Sequence, residues 1–171
     1  MKKVVLILSM LICVGWGYSQ QIERLSESEI EANETPKAVA YNFVTSIINE
    51  DYAKTVDLMT LGFFFELMPS LFGEGIPIDQ LFSNKYMHDI VDMRPVVKLG
   101  YEVVITDSWE LESDKYFEED SKYYGAPAIS VSFNCADANN NFYDGKHGEY
   151  DTTARVLLVK EDGLWKVFGF K

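Results

Sequence analysis

Three groups of residues in this sequence have types and spacings that chemistry could use. His88 and Asp92 stand four apart, which puts both on one helical face, where an imidazole could act as general base and a carboxylate orient it. Nothing nearby tunes that pair, so the preferred reading is an exposed helical pair contributing a few tenths of a kcal/mol. Tyr101, Asp107 and Trp109 lie along one alternating stretch, where a carboxylate base and a hydroxyl could share an apolar pocket for proton abstraction. Asp137, Asn139 and Asn141, followed by Asp144-Gly145, offer the alternate oxygen donors that open a calcium loop. Phe142 stands where such a loop needs Gly, and Gly148 where it needs a bidentate Glu, so a polar connection between strands is the better account.

Other reactive groupings are missing. His88, His147 and Cys135 have no transition-metal spacing, and neither a Gly-rich phosphate loop nor a nucleophile elbow occurs. No metal and no cofactor is expected. The candidate with the best claim is aromatic: Phe63, Phe64, Phe65, Met68 and Phe72 fall in one short stretch. Three consecutive phenylalanines on a helix point about 100° apart, so they cannot share one core, and at least one should line a cavity or an interface. The competing reading is that the fold encloses this segment on several sides and the rings simply fill it. Together with Tyr101 and Trp109, these residues form the expected ligand-binding or interface set, and no catalytic residue is assigned.

The elements that must position them follow from periodicity. Thr35 can cap a helix whose first residue is Pro36, and Ala40, Phe43, Val44, Ile47 and Ile48 recur on one helical face. Asn49-Glu50-Asp51 breaks it, and Tyr52 to Met59 reads as a second, shorter helix. Pro69 argues against one straight helix through the Phe-rich stretch, and Gly73, Gly75 and Pro77 end it. Ile78 to Met93 reads as helix until Pro95 stops it. From there Val97, Leu99, Tyr101, Val103 and Ile105 share one phase of a strand-like alternation. Ile129, Val131, Phe133 and Cys135 alternate with Ala128, Ser130, Ser132 and Asn134 as a half-buried strand. Thr152 to Lys160 and Leu164 to Phe170 form an antiparallel hairpin about Glu161-Asp162-Gly163. Helices first and strands after predict an α+β domain, with N-terminal helices packed on a curved antiparallel sheet of about four strands.

Composition limits partners and placement. The 171 residues carry 15 basic against 27 acidic groups, a formal charge of −12, with no basic run, so nucleic acid and anionic membrane surfaces are disfavoured. Met1-Lys2-Lys3, an apolar run from Val4 to Trp16 and small residues at Gly17 and Ser19 have the layout of a secretory signal peptide over residues 1–19. That run falls short of the roughly 20 residues of a spanning helix, and no stable membrane span is expected. Lipid anchoring through Cys13 is disfavoured, because Ile12 occupies the position where that processing needs a small residue. The expected address is periplasmic or secreted. With Cys13 removed, Cys135 stands alone and is read as a buried inert thiol. Residues 20–34, with five glutamates against one arginine, read as an acidic flexible segment, and residues 35–171 as one domain. Seven carboxylates against one lysine between Asp107 and Asp120 read as a solvated strand end and loop that repels anions or attracts a basic partner.

Two stretches also resemble a known family. Pro36-Lys37-Ala38-Val39-Ala40-Tyr41-Asn42-Phe43, followed by Asn49-Glu50-Asp51-Tyr52-Ala53-Lys54, resembles the opening helix pair of the nuclear transport factor 2-like (cystatin-like) superfamily. Thr153 to Val167, with Glu161-Asp162-Gly163-Leu164-Trp165-Lys166-Val167, is similar to its closing hairpin. The resemblance spans roughly residues 35 to 171 and implies a cone, in which the sheet wraps a long helix and leaves a pocket at the open end. Some members are isomerases or dehydratases, many only bind, and many are small exported bacterial proteins. The functional expectation is an exported, non-enzymatic binding or interaction module. Its apolar pocket or Phe-rich surface would accept a small ligand, a peptide or protein partner, or a second copy in a homodimer. The rival expectation is a small cofactor-free isomerase- or hydrolase-like enzyme using a buried Asp or His. The apolar phases of the strands hold almost no ionisable residue, which favours the binder.

Overall fold

Ser26 and Thr35 each stand where a helix must begin, and the computed structural model, which describes residues 21–73, 84–145, 150 and 152–170, starts a helix after both. For residues 68–73, 84–86 and 88 the description is of the backbone alone. The leader expected over 1–19, with Cys13, lies outside the described residues, as do residues 74–83 and His147. Ser26 and Glu29 form a reciprocal capping box at the head of α1 (Glu27–Ala32), and the Thr35 hydroxyl accepts the Ala38 amide at 3.1 Å to open α2 (Pro36–Ile48). The face expected for α2 is the face that is buried: Ala40, Phe43, Val44, Ile47 and Ile48 all lie in the core. α1 has no buried residue, as its composition implied, yet polar bonds place it. The Asn42 amide donates to the Ile30 carbonyl and to Asn33, both at 2.9 Å, and ties α1 to α2.

A corner at Glu50 and Asp51 leads to α3 (Tyr52–Asp57), with Asp51 capping the Lys54 amide. Ser46 and Thr55, both buried, share a hydrogen bond of 2.7 Å across the two helices. α4 (Leu61–Gly73) continues through Pro69 as one helix, where the sequence argued against a single straight one. The carbonyl that Pro69 leaves without a helical donor is that of Phe65, an exposed residue, so water can satisfy it. α5 (Asn84–Lys98) likewise continues past Pro95, after a kink at Met87 (φ −133°, ψ 39°). Met93 and Val96 are fully buried, and their packing holds the last turn that propensity alone would forgo. Val97 and Leu99 therefore belong to a helix end, not to a strand, and Leu99 is exposed. Gly100 ends the helix at φ +97°: its amide reaches the Val97 carbonyl at 3.0 Å, and the Tyr101 amide reaches Val96 at 3.4 Å.

Four antiparallel strands follow in the order β1 (Glu102–Leu111), β2 (Ala128–Ala136), β3 (Ala154–Glu161) and β4 (Leu164–Phe170), as an open sheet. Asp162 and Gly163 both have positive φ, the primed two-residue turn that suits a twisted hairpin, and Glu161 pairs with Leu164. The chain is thus α+β, with helices on an antiparallel sheet of four strands, as expected. Val131, Phe133 and Cys135 of β2 face the helices, but Ala128, Ser130 and Ser132 on the opposite face are buried too. There Phe117 and Tyr123, from the long β1–β2 connection, pack with Ala128, Val159 and Phe168 as a second, smaller core. Both sheet edges are partly paired. Glu23 exchanges hydrogen bonds of 2.9 and 3.0 Å with Ile105 on β1, and the segment Leu58 to Thr60 bonds Val167 of β4 twice at 2.8 Å.

Candidate functional site

Thr60 sets the aromatic cluster in place. Its hydroxyl accepts the Phe63 amide at 3.1 Å and its backbone pairs with Val167, so the first turn of α4 is fixed against β4. Phe63 is then buried, its ring 6.0 Å from Phe170, while Phe64 is half-buried against the core. Phe65 points elsewhere and is 60% exposed, with Leu61, one turn earlier on the same face, 65% exposed. The geometric argument that three adjacent rings cannot share one core thus resolves into one ring in, one between and one out. Met68 and Phe72 extend the same helix, and their side chains lie outside the description.

Tyr101 and Trp109 do not join this cluster, nor each other. Thr106 is an extra residue in β1: Ile105 pairs with Phe133 and Asp107 already with Ser132. The bulge reverses the phase, so Val103 and Ile105 face the helices while Asp107 and Trp109 face away. Tyr101 meets Tyr143 edge-on at 5.5 Å and lines a shallow groove of about 240 Å³ with Tyr41 and Glu102. Burial first, and the Glu102 charge second, raise the Tyr41 hydroxyl above its ordinary value, so it stays a neutral phenol. Glu102 itself is exposed and bound to Arg24 at 2.8 Å. Trp109 stacks under the Arg155 guanidinium, 4.6 Å from its ring, and Asp107 accepts the neighbouring Ser108 amide.

The remaining sequence candidates have similarly plain geometry. Asp137 spends its carboxylate on the amides of Asn139 and Asn141 and on the Asn141 side chain, at 2.8, 2.8 and 3.0 Å. The bonds from Asn141, side chain first, hold that carboxyl below its usual range, and the loop is a self-bonded turn. Among the described residues, no cluster of His, Cys, Asp and Glu could hold a metal ion. Cys135 is fully buried, and burial pushes its thiol up to about 12. The His88 side chain lies outside the description. Among the described residues, no carboxylate, imidazole, ammonium or guanidinium is buried; the buried polar groups are Asn42, Ser46, Thr55, Thr60, Ser113, Ser130, Ser132 and Thr152, beside the buried phenols of Tyr123 and Tyr143.

Sequence reasoning about single elements missed a larger hollow. A groove of about 540 Å³ opens between Asn33-Glu34, α3 and the β3–β4 hairpin, walled by Trp165. Trp165 also borders a second groove of about 310 Å³ with Glu110, Leu111, Pro127 and Ile129. The available signal was the Asp162-Gly163 turn, which places Leu164 and Trp165 at the sheet end, where Leu164 is 63% exposed. No family model and no curated protein matches this chain. No helix among the described residues is long and apolar enough to cross a membrane.

Proposed function

We propose that this chain is an exported, non-catalytic interaction module of the nuclear transport factor 2-like kind, and that the exposed turn of α4 is the face by which it contacts an apolar partner surface. The observation that carries the reading is the pair Leu61 and Phe65, two large apolar side chains mostly in solvent on one helical face whose neighbour Phe63 is anchored in the core. A ring held by a fixed helix loses little entropy on contact, which is what a recognition surface needs. The order of helices and strands, the Asp51-capped corner and the closing hairpin support the family reading. The leader-like residues 1–19 support export. That no carboxylate or imidazole is buried among the described residues favours binding over proton-transfer chemistry.

The test is binding of the apolar-surface dye 1-anilinonaphthalene-8-sulfonate to the native protein and to a Leu61→Ser/Phe65→Ser variant. Saturable binding that drops severalfold in the variant, at unchanged Tm, supports the reading. Equal binding to both proteins removes it. Sedimentation velocity over a hundredfold concentration range then decides whether the partner is a second copy.

A further inference from the structure

The groove walled by Trp165 is independent of the α4 face and has its own chemistry. Its volume of about 540 Å³ lies in the ordinary range for small-molecule sites, about 300–1,000 Å³. Its lining carries Glu34 and Asp57 against Lys54 and Lys166, so the formal charges cancel. Both ammonium groups are already engaged: Lys54 donates to Asn42 at 2.9 Å, and Lys166 donates to the Asp57 backbone carbonyl. Each ammonium is held by a neutral oxygen and keeps its charge, which the two carboxylates of the lining balance in sum. The Glu34 and Asp57 carboxylates, by contrast, are exposed acceptors at the groove. Trp165 is half-buried against the core and lines the groove, with the exposed Lys160 ammonium 5.9 Å from its ring centre. A flat, polarisable ring beside hydrogen-bond acceptors, with no net charge, suits a ligand that has one apolar C–H face and a rim of hydroxyl donors.

We infer that this groove binds a neutral saccharide, with a pyranose ring stacked on Trp165 and its hydroxyls donating to Glu34 and Asp57. The site is open and holds one aromatic platform, so affinity is modest, with Kd of about 1 mM or weaker for a single sugar. Longer oligosaccharides bind more tightly if they reach the second groove across Trp165.

Saturation-transfer NMR tests this on the purified chain, with glucose, N-acetylglucosamine, cellotriose and maltotriose as probes and choline and inorganic phosphate as charged controls. The expected result is saturable transfer to the ring C–H protons of at least one saccharide. Trp165→Ala should abolish it, and Glu34→Gln/Asp57→Asn should weaken it about tenfold. Trp109→Phe should leave it unchanged. Because Trp165 also packs on the core, the Glu34→Gln/Asp57→Asn protein, altered only at exposed positions, keeps the test valid if Trp165→Ala unfolds. Absence of transfer from every saccharide, transfer indifferent to the Glu34/Asp57 change, or tighter binding of choline or phosphate would each overturn the inference. None of these outcomes bears on the α4 face, which the dye experiment reads separately.

Discussion

Arg94 joins two helices through all three of its guanidinium nitrogens. From α5 it donates to the carbonyls of Ile47 and Ile48, each at 2.9 Å, and to Glu50 at 2.7 Å, closing the C-terminal end of α2. Glu50 sits at φ +61°, a left-handed conformation that a glutamate adopts at a cost, and the guanidinium holds that corner. Arg94→Ala should therefore destabilise the fold by about 2–3 kcal/mol, read from urea midpoints. Arg94→Lys should recover less than half, because a point ammonium cannot serve three acceptors in fork geometry. Glu50→Ala, which removes only the exposed pair, should cost under about 1 kcal/mol. Cys135 makes a prediction in pH. Its folded value, about 12, lies above the ordinary 9.0, so the buried neutral thiol contributes fully below pH 9 and loses that contribution as pH rises toward 12. Across that window, stability should fall by up to about 1.4 kcal/mol per pH unit more steeply than in Cys135→Val, where the other alkaline titrations remain. Equal slopes would mean that the thiol reaches solvent.

At the scale of elements, one glycine decides where helix becomes sheet. Gly100 at φ +97° closes α5 with two back-bonds, and nothing crowds a side chain there, so Gly100→Ala tests backbone conformation alone. The expected loss is about 1 kcal/mol, with Gly100→Asn costing less because Asn tolerates the left-handed region. Thermal unfolding of the pair measures it. The same junction marks the limit of what the sequence discloses. α2 was legible because Thr35, Pro36 and the Phe43-Ile47 face agree, and β2 and the final hairpin because alternation and turn chemistry agree. The continuation of α4 through Pro69 and of α5 through Pro95 was not legible: for α5, burial of Met93 and Val96 overrides a local signal, and burial is a property of the folded whole. Nor was the Thr106 bulge, a single extra residue that sends Trp109 to the face opposite Ile105. The Trp165 groove was hidden for a third reason. It is assembled from segments near residues 33, 57 and 165, which no local pattern connects.

Seen whole, the molecule is an open sheet with two edges to protect, and it guards them unequally. β4 is covered by the chain between α3 and α4, which cannot leave without disturbing the core at Leu58 and Met59. Among the described residues, β1 is covered only by the segment around Glu23. That segment is held by a single backbone pairing, the Lys37–Glu23 contact at 2.6 Å, the three bonds of Arg24 to Glu102, Asn140 and the Asp137 carbonyl, and the packing of Leu25 on the core. Most of these bonds are surface-exposed and individually weak, so the strap is more easily displaced than the cover on β4. Removing residues 1–34 would strip it and leave Val103 to Leu111 as a bare edge, the standing hazard of open sheets. The Thr106 bulge and the acidic Asp107 and Glu110 oppose edge-to-edge pairing, and their charges are screened by salt. A chain beginning at Thr35 should therefore stay monomeric at low ionic strength and associate at about 0.5 M salt, where the Debye length falls to a few ångströms. The chain beginning at Gln20 should be insensitive to salt in this respect. Sedimentation velocity of both chains, at matched concentrations and two ionic strengths, reads the difference directly. A truncated chain that stays monomeric at high salt would assign the protection of β1 to its bulge and leave the strap only its anchoring of α1.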